Sequence, residues 1–220
     1  MRLFLIRHGE TDWNVEARIQ GVADIPLNER GRRQAELLGE ALAREPISAV
    51  FASPLQRAQH TAACVALPHR LAVRTHPGLA ELDQGVLEGL LAKDLREHPA
   101  GIVQAWEAGN MAVVIPGGES MEALQQRAWS AIEAIRDQAG PDGVVAVVSH
   151  NLTTKAIICS ALGLPLITYR RLRKDNGSVS VLEFQATHNV LMRLNDVSHY
   201  ATLDALGTTN APPSAPAKRG

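Results

Sequence analysis

Short apolar runs alternate along the chain with stretches of helical periodicity. Residues 2–6, 48–51, 71–75 and 144–149 are β-type runs bounded by polar or turn-forming positions. Residues 28–44 place Ala35, Leu38 and Leu42 on one helical face, with Asn28, shortly after Pro26, as the cap. Residues 119–138 carry Met121, Leu124, Ala128, Ile132 and Ile135 at helical spacing, a stripe that fits core packing rather than a cofactor. A further helix is predicted over 152–163, just after His150. Residues 178–184 and 190–195 read as a hairpin with its turn around 186–189. Strand-like runs alternating with helical ones predict an α/β fold, a largely parallel sheet covered by helices.

No repeat and no internal linker interrupts this pattern, so residues 1–205 read as one domain. Residues 206–220, rich in Pro, Ala and small polar types, read as a disordered tail. The segment 78–118 is less regular and is expected to lie over the site as a lid. Leu79, Leu82, Leu87, Leu90 and Leu91 would make that lid partly apolar. A hydrophobic share of 45% fits a globular core. The net charge of −1 provides no global field for nucleic acid or an anionic membrane. Any attraction for an anion must therefore be local. Cys64 and Cys159 lie in predicted helices without metal-ligand spacing and read as buried, reduced thiols. No apolar stretch approaches the ~20 residues needed to span a bilayer, and no basic segment with an apolar core opens the chain. The expectation is a cytoplasmic protein with neither nucleic-acid nor membrane partners. Oligomeric state is not legible.

The candidate chemistry gathers where three apolar runs end. Arg7-His8-Gly9-Glu10-Thr11 follows the first, Ser53 to Ala62 with Arg57 follows the second, and Ser149-His150-Asn151 closes the fourth. Strand ends are where open α/β sheets bind ligands. A single histidine there is most often an ordinary hydrogen-bonded side chain. Three such ends together supply Arg7, His8, Arg57 and His150, a set suited to phosphate. The planar arginine fork matches phosphate oxygens and keeps its charge. Neutral imidazole is a good nucleophile toward phosphorus.

On these residues the chain resembles the histidine phosphatase superfamily, which includes cofactor-dependent phosphoglycerate mutases and many small-molecule phosphatases. The carrying motifs are Arg-His-Gly-Glu-Thr at 7–11, Ser-Pro-Leu-x-Arg-Ala-x-x-Thr-Ala at 53–62, the loop from Leu79 to Gly89, and Val-Ser-His at 148–150. The resemblance implies a three-layer α/β/α sandwich with a mostly parallel central sheet. It implies His8 as nucleophile, attacking through Nε2 while its other nitrogen donates to a backbone carbonyl. Arg7 and Arg57 should help keep that ring neutral. The resemblance also implies Glu81 as general acid and Arg7, Asn14, Arg57 and His150 as phosphate ligands, His150 in its charged form. Thr11, Gln20, Gly21 and Asn151 are the further substrate-binding candidates, with Arg18 beside them. Glu88 and Asp83 compete with Glu81 for the acid role. Glu10 reads as a stabiliser of its own loop.

Relatives that place an acidic residue directly after the second histidine are disfavoured, because that position is Asn151. Phosphoglycerate mutases carry an Arg-His-Tyr-Gly loop at the acid and later an arginine pair with a proline-rich segment. Here residues 81–85 read Glu-Leu-Asp-Gln-Gly and 114–120 read Val-Ile-Pro-Gly-Gly-Glu-Ser. That departure favours hydrolysis of a small-molecule phosphate ester, with no cofactor and no metal. The alternatives are a mutase, a catalytically weak phosphate-binding module and a metal-dependent hydrolase. The weak module would lose His8, Arg7 or Arg57, and all are present. The hydrolase would need H-x-H or H-E-x-x-H spacing, which His60, His69, His76, His98, His188 and His199 lack.

Overall fold

The structure is a computed structural model and describes residues 1–200. The tail expected at 206–220, and the last residues of the expected 1–205 domain, lie outside the described residues. In chain order the elements are β1 (Arg2–Arg7), α1 (Asp12–Val15), α2 (Glu29–Leu42), β2 (Ala49–Ala52), α3 (Gln56–Ala66), β3 (Val73–Thr75), α4 (Ile102–Glu107), α5 (Met121–Ala139), β4 (Val144–Ser149), α6 (Asn151–Ala161), β5 (Val179–Phe184) and β6 (Asn189–Asp196). The six strands form one sheet in the order β3-β2-β4-β1-β5-β6. Strands β3, β2, β4 and β1 run parallel, and the hairpin β5–β6 adds two antiparallel strands beside β1.

Both faces of the sheet are covered, which is why β1 and β4 are almost continuously apolar rather than alternating. Leu3 and Leu5 of β1, with Val145 and Val147 of β4, pack against α5 and α6. Phe4 and Ile6, with Ala146 and Val148, pack against α2 and α3. The result is the expected α/β/α sandwich, with the sheet mixed at one edge. Helix ends follow local chemistry. The Asn28 side chain accepts from Gly31 N to start α2, and that of Ser120 accepts from Ala123 N to start α5.

The irregular segment departs from the expectation in one respect. It contains α4 and single 3₁₀ turns at Pro77–Leu79, Gly85–Leu87 and Leu95–Glu97. It also builds a core of its own. Leu82, Leu87, Ile102, Trp106, Met111 and Ile115 pack on Met121, Leu124, Ala156 and Cys159. Leu79 joins the sheet core instead. Leu79, Leu82 and Leu87 therefore face cores, and the apolar residues this segment gives to the cavity over His8 are Ala92, Leu95 and Trp106. Burying a leucine is worth roughly 1.5–3 kcal/mol, and a segment without long elements secures that gain by folding on itself. Cys159 is buried as expected, whereas Cys64 is partly exposed. Among the described residues no helix is long and apolar enough to cross a membrane.

Candidate active site

Arg7 of β1 lies in register with Ser149 of β4, so the next residues, His8 and His150, leave the sheet side by side. The His8 N–H donates to Ser149 O at 3.0 Å, and the two imidazole centroids are 5.1 Å apart. From β1 the chain turns to α2 on one face. From β4 it turns to α6 on the other. The crevice between such diverging connections is the usual ligand site of a doubly wound sheet. The glycine after His8 is required by packing: a Cβ on Gly9 would lie 2.4 Å from Gly31 O at the start of α2.

His8 is buried, and its Nδ1 lies 2.7 Å from Gly9 O. A carbonyl only accepts, so Nδ1 carries the proton and Nε2 is bare. Burial, followed by the charges of Arg57 and Arg7, holds its pKa well below the ordinary histidine value. His150 is fully buried. Arg57 Nε donates to its Nδ1 at 3.3 Å, and Nε2 is 2.7 Å from Ser53 Oγ. Guanidinium cannot accept, so Nδ1 is bare and Nε2–H donates to the serine. Burial and nearby Arg57, His8, Arg7 and Arg127 hold its pKa well below the ordinary value too. The cations crowded at the strand ends thus disfavour the charged His150 that the resemblance implies.

Arg57 is fully buried. Its Nη1 donates to Ala23 O and its Nη2 to Gly21 O, both at 2.7 Å. With the bond to His150, three of its five N–H groups are engaged and two are not. Burial pushes its pKa down to about 10, so it stays charged at neutral pH. Arg7 donates through Nη1 to Lys174 O, and its buried Nε has no acceptor among the described residues.

A cavity of about 320 Å³ opens over His8, lined also by Arg7, Asn14, Arg18, Gln20, Glu81 and Asn151. A larger hollow of about 460 Å³, beside Met1 and Arg136 at the far end of β1, holds none of the candidates. Asn14 Oδ1 accepts from Thr11 N and Asn176 Nδ2, which leaves its own Nδ2 as the unengaged end of the amide. Thr11 and Gly21 do not line the cavity. Thr11 caps α1 and donates to Gln20 Oε1 at 2.9 Å. Gly21 N donates to Glu88 at 2.7 Å, and a Cβ there would meet Leu82 O at 2.5 Å. Both residues set the loop that carries Gln20. Arg57 and His150 do not line the cavity either: both are fully buried, His150 against the His8 ring and Arg57 bonded to His150.

Glu81 lines the same cavity and is buried at the start of α6. Its Oε1 accepts from Leu82 N at 2.9 Å and Thr153 N at 3.1 Å, with Thr153 Oγ1 at 2.9 Å. Its Oε2 accepts only from Leu152 N, at 3.0 Å. The carboxylate therefore takes the capping place at a helix whose His150 makes no side-chain cap, and the helix dipole favours it there. Oε2 keeps a lone pair toward which a proton can move. The neighbouring Leu79, Leu82 and Leu87 belong to the buried cores. Glu88 is engaged by the backbone N–H groups of Gly21, Val22 and Ala23, and Asp83 by that of Gly85. Neither lines the cavity. Glu10 accepts from Asn28 Nδ2 and faces Arg30, which fits the loop role expected of it.

Sequence reasoning missed several supporting residues. Arg127 of α5 donates to Gly78 O, Ala80 O and Glu81 O and pairs with Glu119, fixing the backbone of the acid loop. Lys174 is buried beneath β1, its Nζ 3.0 Å from Ser180 Oγ and 3.4 Å from Leu5 O, and burial pushes its pKa down to about 7. Nothing in the spacing marks either residue. Among the described residues no group of three or more His, Cys, Asp or Glu side chains could hold a metal ion.

An imidazole bare at Nε2, backed by buried cations and sharing its cavity with a carboxyl group, is suited to accept a phosphoryl group, and the carboxyl in its protonated form to protonate what leaves. The class these features suit is enzymes that transfer phosphoryl groups. Residues 3–197 match the histidine phosphatase superfamily (branch 1), and the chain belongs to that family. It is 34% identical over 199 residues to "Phosphoserine phosphatase 1" of Hydrogenobacter thermophilus, covering 90% of this chain and 94% of the relative. It is 36% identical to "Probable phosphoglycerate mutase GpmB" of Cronobacter sakazakii, with the same coverage. Among solved structures, a putative alpha-ribazole-5′-P phosphatase from Escherichia coli superposes with a TM-score of 0.80 at 33% identity, covering 90% of this chain and 97% of the other.

Proposed function

We propose that this histidine phosphatase is a metal-independent phosphomonoesterase that hydrolyses a small-molecule phosphate ester through a phosphohistidine on His8. The observation that carries the reading is the His8 ring itself, with Nδ1 tied to Gly9 O and Nε2 bare in a cavity shared with Arg7 and Glu81. Nε2 attacks phosphorus as the P–O bond to the alcohol breaks, and Glu81 gives its proton to the leaving oxygen. Glu81 then takes a proton from water as that water attacks phosphorus. The P–N bond breaks, releasing phosphate and neutral His8. Arg7, the two remaining N–H groups of Arg57 and Asn14 Nδ2 balance the phosphate oxygens. The Nε2–H of His150 can exchange from Ser53 to a phosphate oxygen. Residues 78–118 act as the lid, supplying Glu81, Gln84, Leu95 and Trp106 to the cavity.

Hydrolysis is favoured over phosphoryl shuttling because the acid loop is closed without an added cation facing the cavity. Asp83 N and O bond to Glu119, and Val86 N to Pro116 O, strapping the two segments that depart from the mutase pattern. The phosphatase relatives agree with this reading. The probable mutase relative makes isomerisation the competing outcome. The test combines phosphate release from metabolite esters, without a bisphosphate primer, with brief labelling by a radioactive ester. Label stable in alkali, lost in acid and absent from His8→Ala is expected. Efficient interconversion of 2- and 3-phosphoglycerate with negligible phosphate release would overturn the hydrolytic reading.

A further inference from the structure

Resting on the phosphatase reading, we propose that Asn176 is a positioning residue: from outside the cavity it aims the Asn14 amide at the phosphate and ties that amide to the turn of the nucleophile. Asn176 lies in the turn that leads into β5. Ser178 N donates to Asp175 O at 3.1 Å, and Gly177, third in the turn, has a φ of +70°, a conformation that favours glycine. This turn grips the end of β1 at several points. Gly177 N donates to His8 O at 2.9 Å and to Arg7 O at 3.1 Å. Lys174 O, just before the turn, accepts from Arg7 Nη1 at 2.5 Å. The Tyr200 hydroxyl donates to Asn176 O at 2.7 Å and so helps hold the turn in place.

The Asn176 side chain extends this grip to Asn14. Its Nδ2 donates to Asn14 Oδ1 at 2.9 Å and lies 3.3 Å from both His8 O and Gly9 O. Chemistry fixes the orientation of both amides. His8 O and Gly9 O only accept, so the end of Asn176 that faces them is the NH₂ group. Thr11 N only donates, so the end of Asn14 that faces it, at 3.1 Å, is Oδ1. Asn14 Nδ2 is then the free donor of a residue that lines the cavity, and it is not among the buried orphaned atoms. Gly9 O is also the carbonyl that receives the His8 Nδ1–H. One amide therefore touches both the carbonyl that sets the tautomer of the nucleophile and the oxygen whose engagement leaves Asn14 Nδ2 for the phosphate. Asn176 does not itself line the cavity, so it acts through these partners.

The test is a double-mutant cycle of Asn176→Ala and Asn14→Ala. It is read as the single-turnover rate of His8 phosphorylation by 4-nitrophenyl phosphate, and as the Kd of vanadate, a mimic of five-coordinate phosphorus. Asn176→Ala should slow phosphorylation and weaken vanadate about three- to tenfold, the range for one neutral hydrogen bond. In the Asn14→Ala background the same change should cost less than twofold. Equal factors in both backgrounds would overturn the inference. A turn-forming role alone would lower the urea midpoint and leave the vanadate Kd unchanged, which would also overturn it. Asn176→Asp serves if Asn176→Ala does not fold, because aspartate suits the turn equally and has no N–H to donate. It should lose at least about threefold on both readouts, and wild-type values would refute the positioning role. Asn14→Ala without effect on vanadate would remove the ligand through which Asn176 acts, and the inference with it. A wild type that binds vanadate but hydrolyses no ester would instead refute the phosphatase reading, with the vanadate cycle still deciding the role of Asn176.

Discussion

Acidification should destabilise this protein through its two site histidines. His8 and His150 are both buried, and both are bonded as neutral rings, His8 to Gly9 O and His150 between Arg57 Nε and Ser53 Oγ. Arg7 and Arg57 face both rings, and Arg127 also acts on His150. Their folded pKa values lie well below the ordinary value, while in the unfolded chain each returns to about 6.5. Below that pH the unfolded state binds protons that the folded state does not, so stability rises with pH through this window and levels off above it. At one pH unit below the unfolded value a histidine kept neutral by the fold costs somewhat more than about 1 kcal/mol, so the pair costs roughly 3 kcal/mol at pH 5.5 relative to pH 8. That is a sizeable part of a typical 5–15 kcal/mol total. The assay is urea unfolding at both pH values for the wild type and His150→Asn. Asparagine keeps an oxygen for Arg57 and removes the titration. Other groups titrate alike in both proteins and cancel in the comparison. The variant should lose about half of the pair's pH dependence, whatever its stability at pH 8. An unchanged pH dependence would show that His150 is protonated in the fold, and the neutral-ring argument would fail. Saturating inorganic phosphate should flatten the wild-type profile, because an anion favours the charged rings.

The elements legible in the sequence are those whose burial is periodic. β1 and β4 are covered on both faces, so Leu3 to Ile6 and Val145 to Val148 read as unbroken apolar runs. The stripes of α2 and α5 are visible because each helix has one covered face, and their caps Asn28 and Ser120 act locally. The position of His8 beside His150 also follows from such runs, since both residues end strands. Residues 78–118 were not legible in the same way. They are held by straps such as Asp83–Glu119 and by a private core around Trp106 and Ile115, which leave no regular spacing. Arg127 lies on α5 outside the apolar stripe, where an arginine reads as solvated, yet it binds three carbonyls of the acid loop. The charge state of His150 depends on how many cations three separated segments bring together, which is a property of the fold.

Two perturbations of the site follow from its bonding. Arg57→Ala removes the cation to which the proposed mechanism gives a phosphate role and leaves Gly21 O, Ala23 O and His150 Nδ1 without their donor, so kcat should fall about 10²-fold or more and the urea midpoint should drop. Activity within threefold of wild type would place the phosphate elsewhere. Glu81→Gln separates acid catalysis from positioning through the leaving group. An alkyl alkoxide needs a proton as the P–O bond breaks, whereas nitrophenolate leaves readily without one. If Glu81 is the acid, single-turnover phosphorylation of His8 by an alkyl ester should slow about 10²- to 10⁴-fold, and by a nitrophenyl ester much less. Glutamine also sets an NH₂ group against either the Leu152 N–H or the donors at Oε1, so some loss common to both esters is expected from the disturbed start of α6. The difference between the two esters is what reports the proton. Equal slowing of both would leave Glu81 as the cap of α6 alone. Unimpaired phosphorylation by both would remove it from the chemistry, and since Glu88 and Asp83 are held by backbone away from the cavity, the proton would then have to come from solvent.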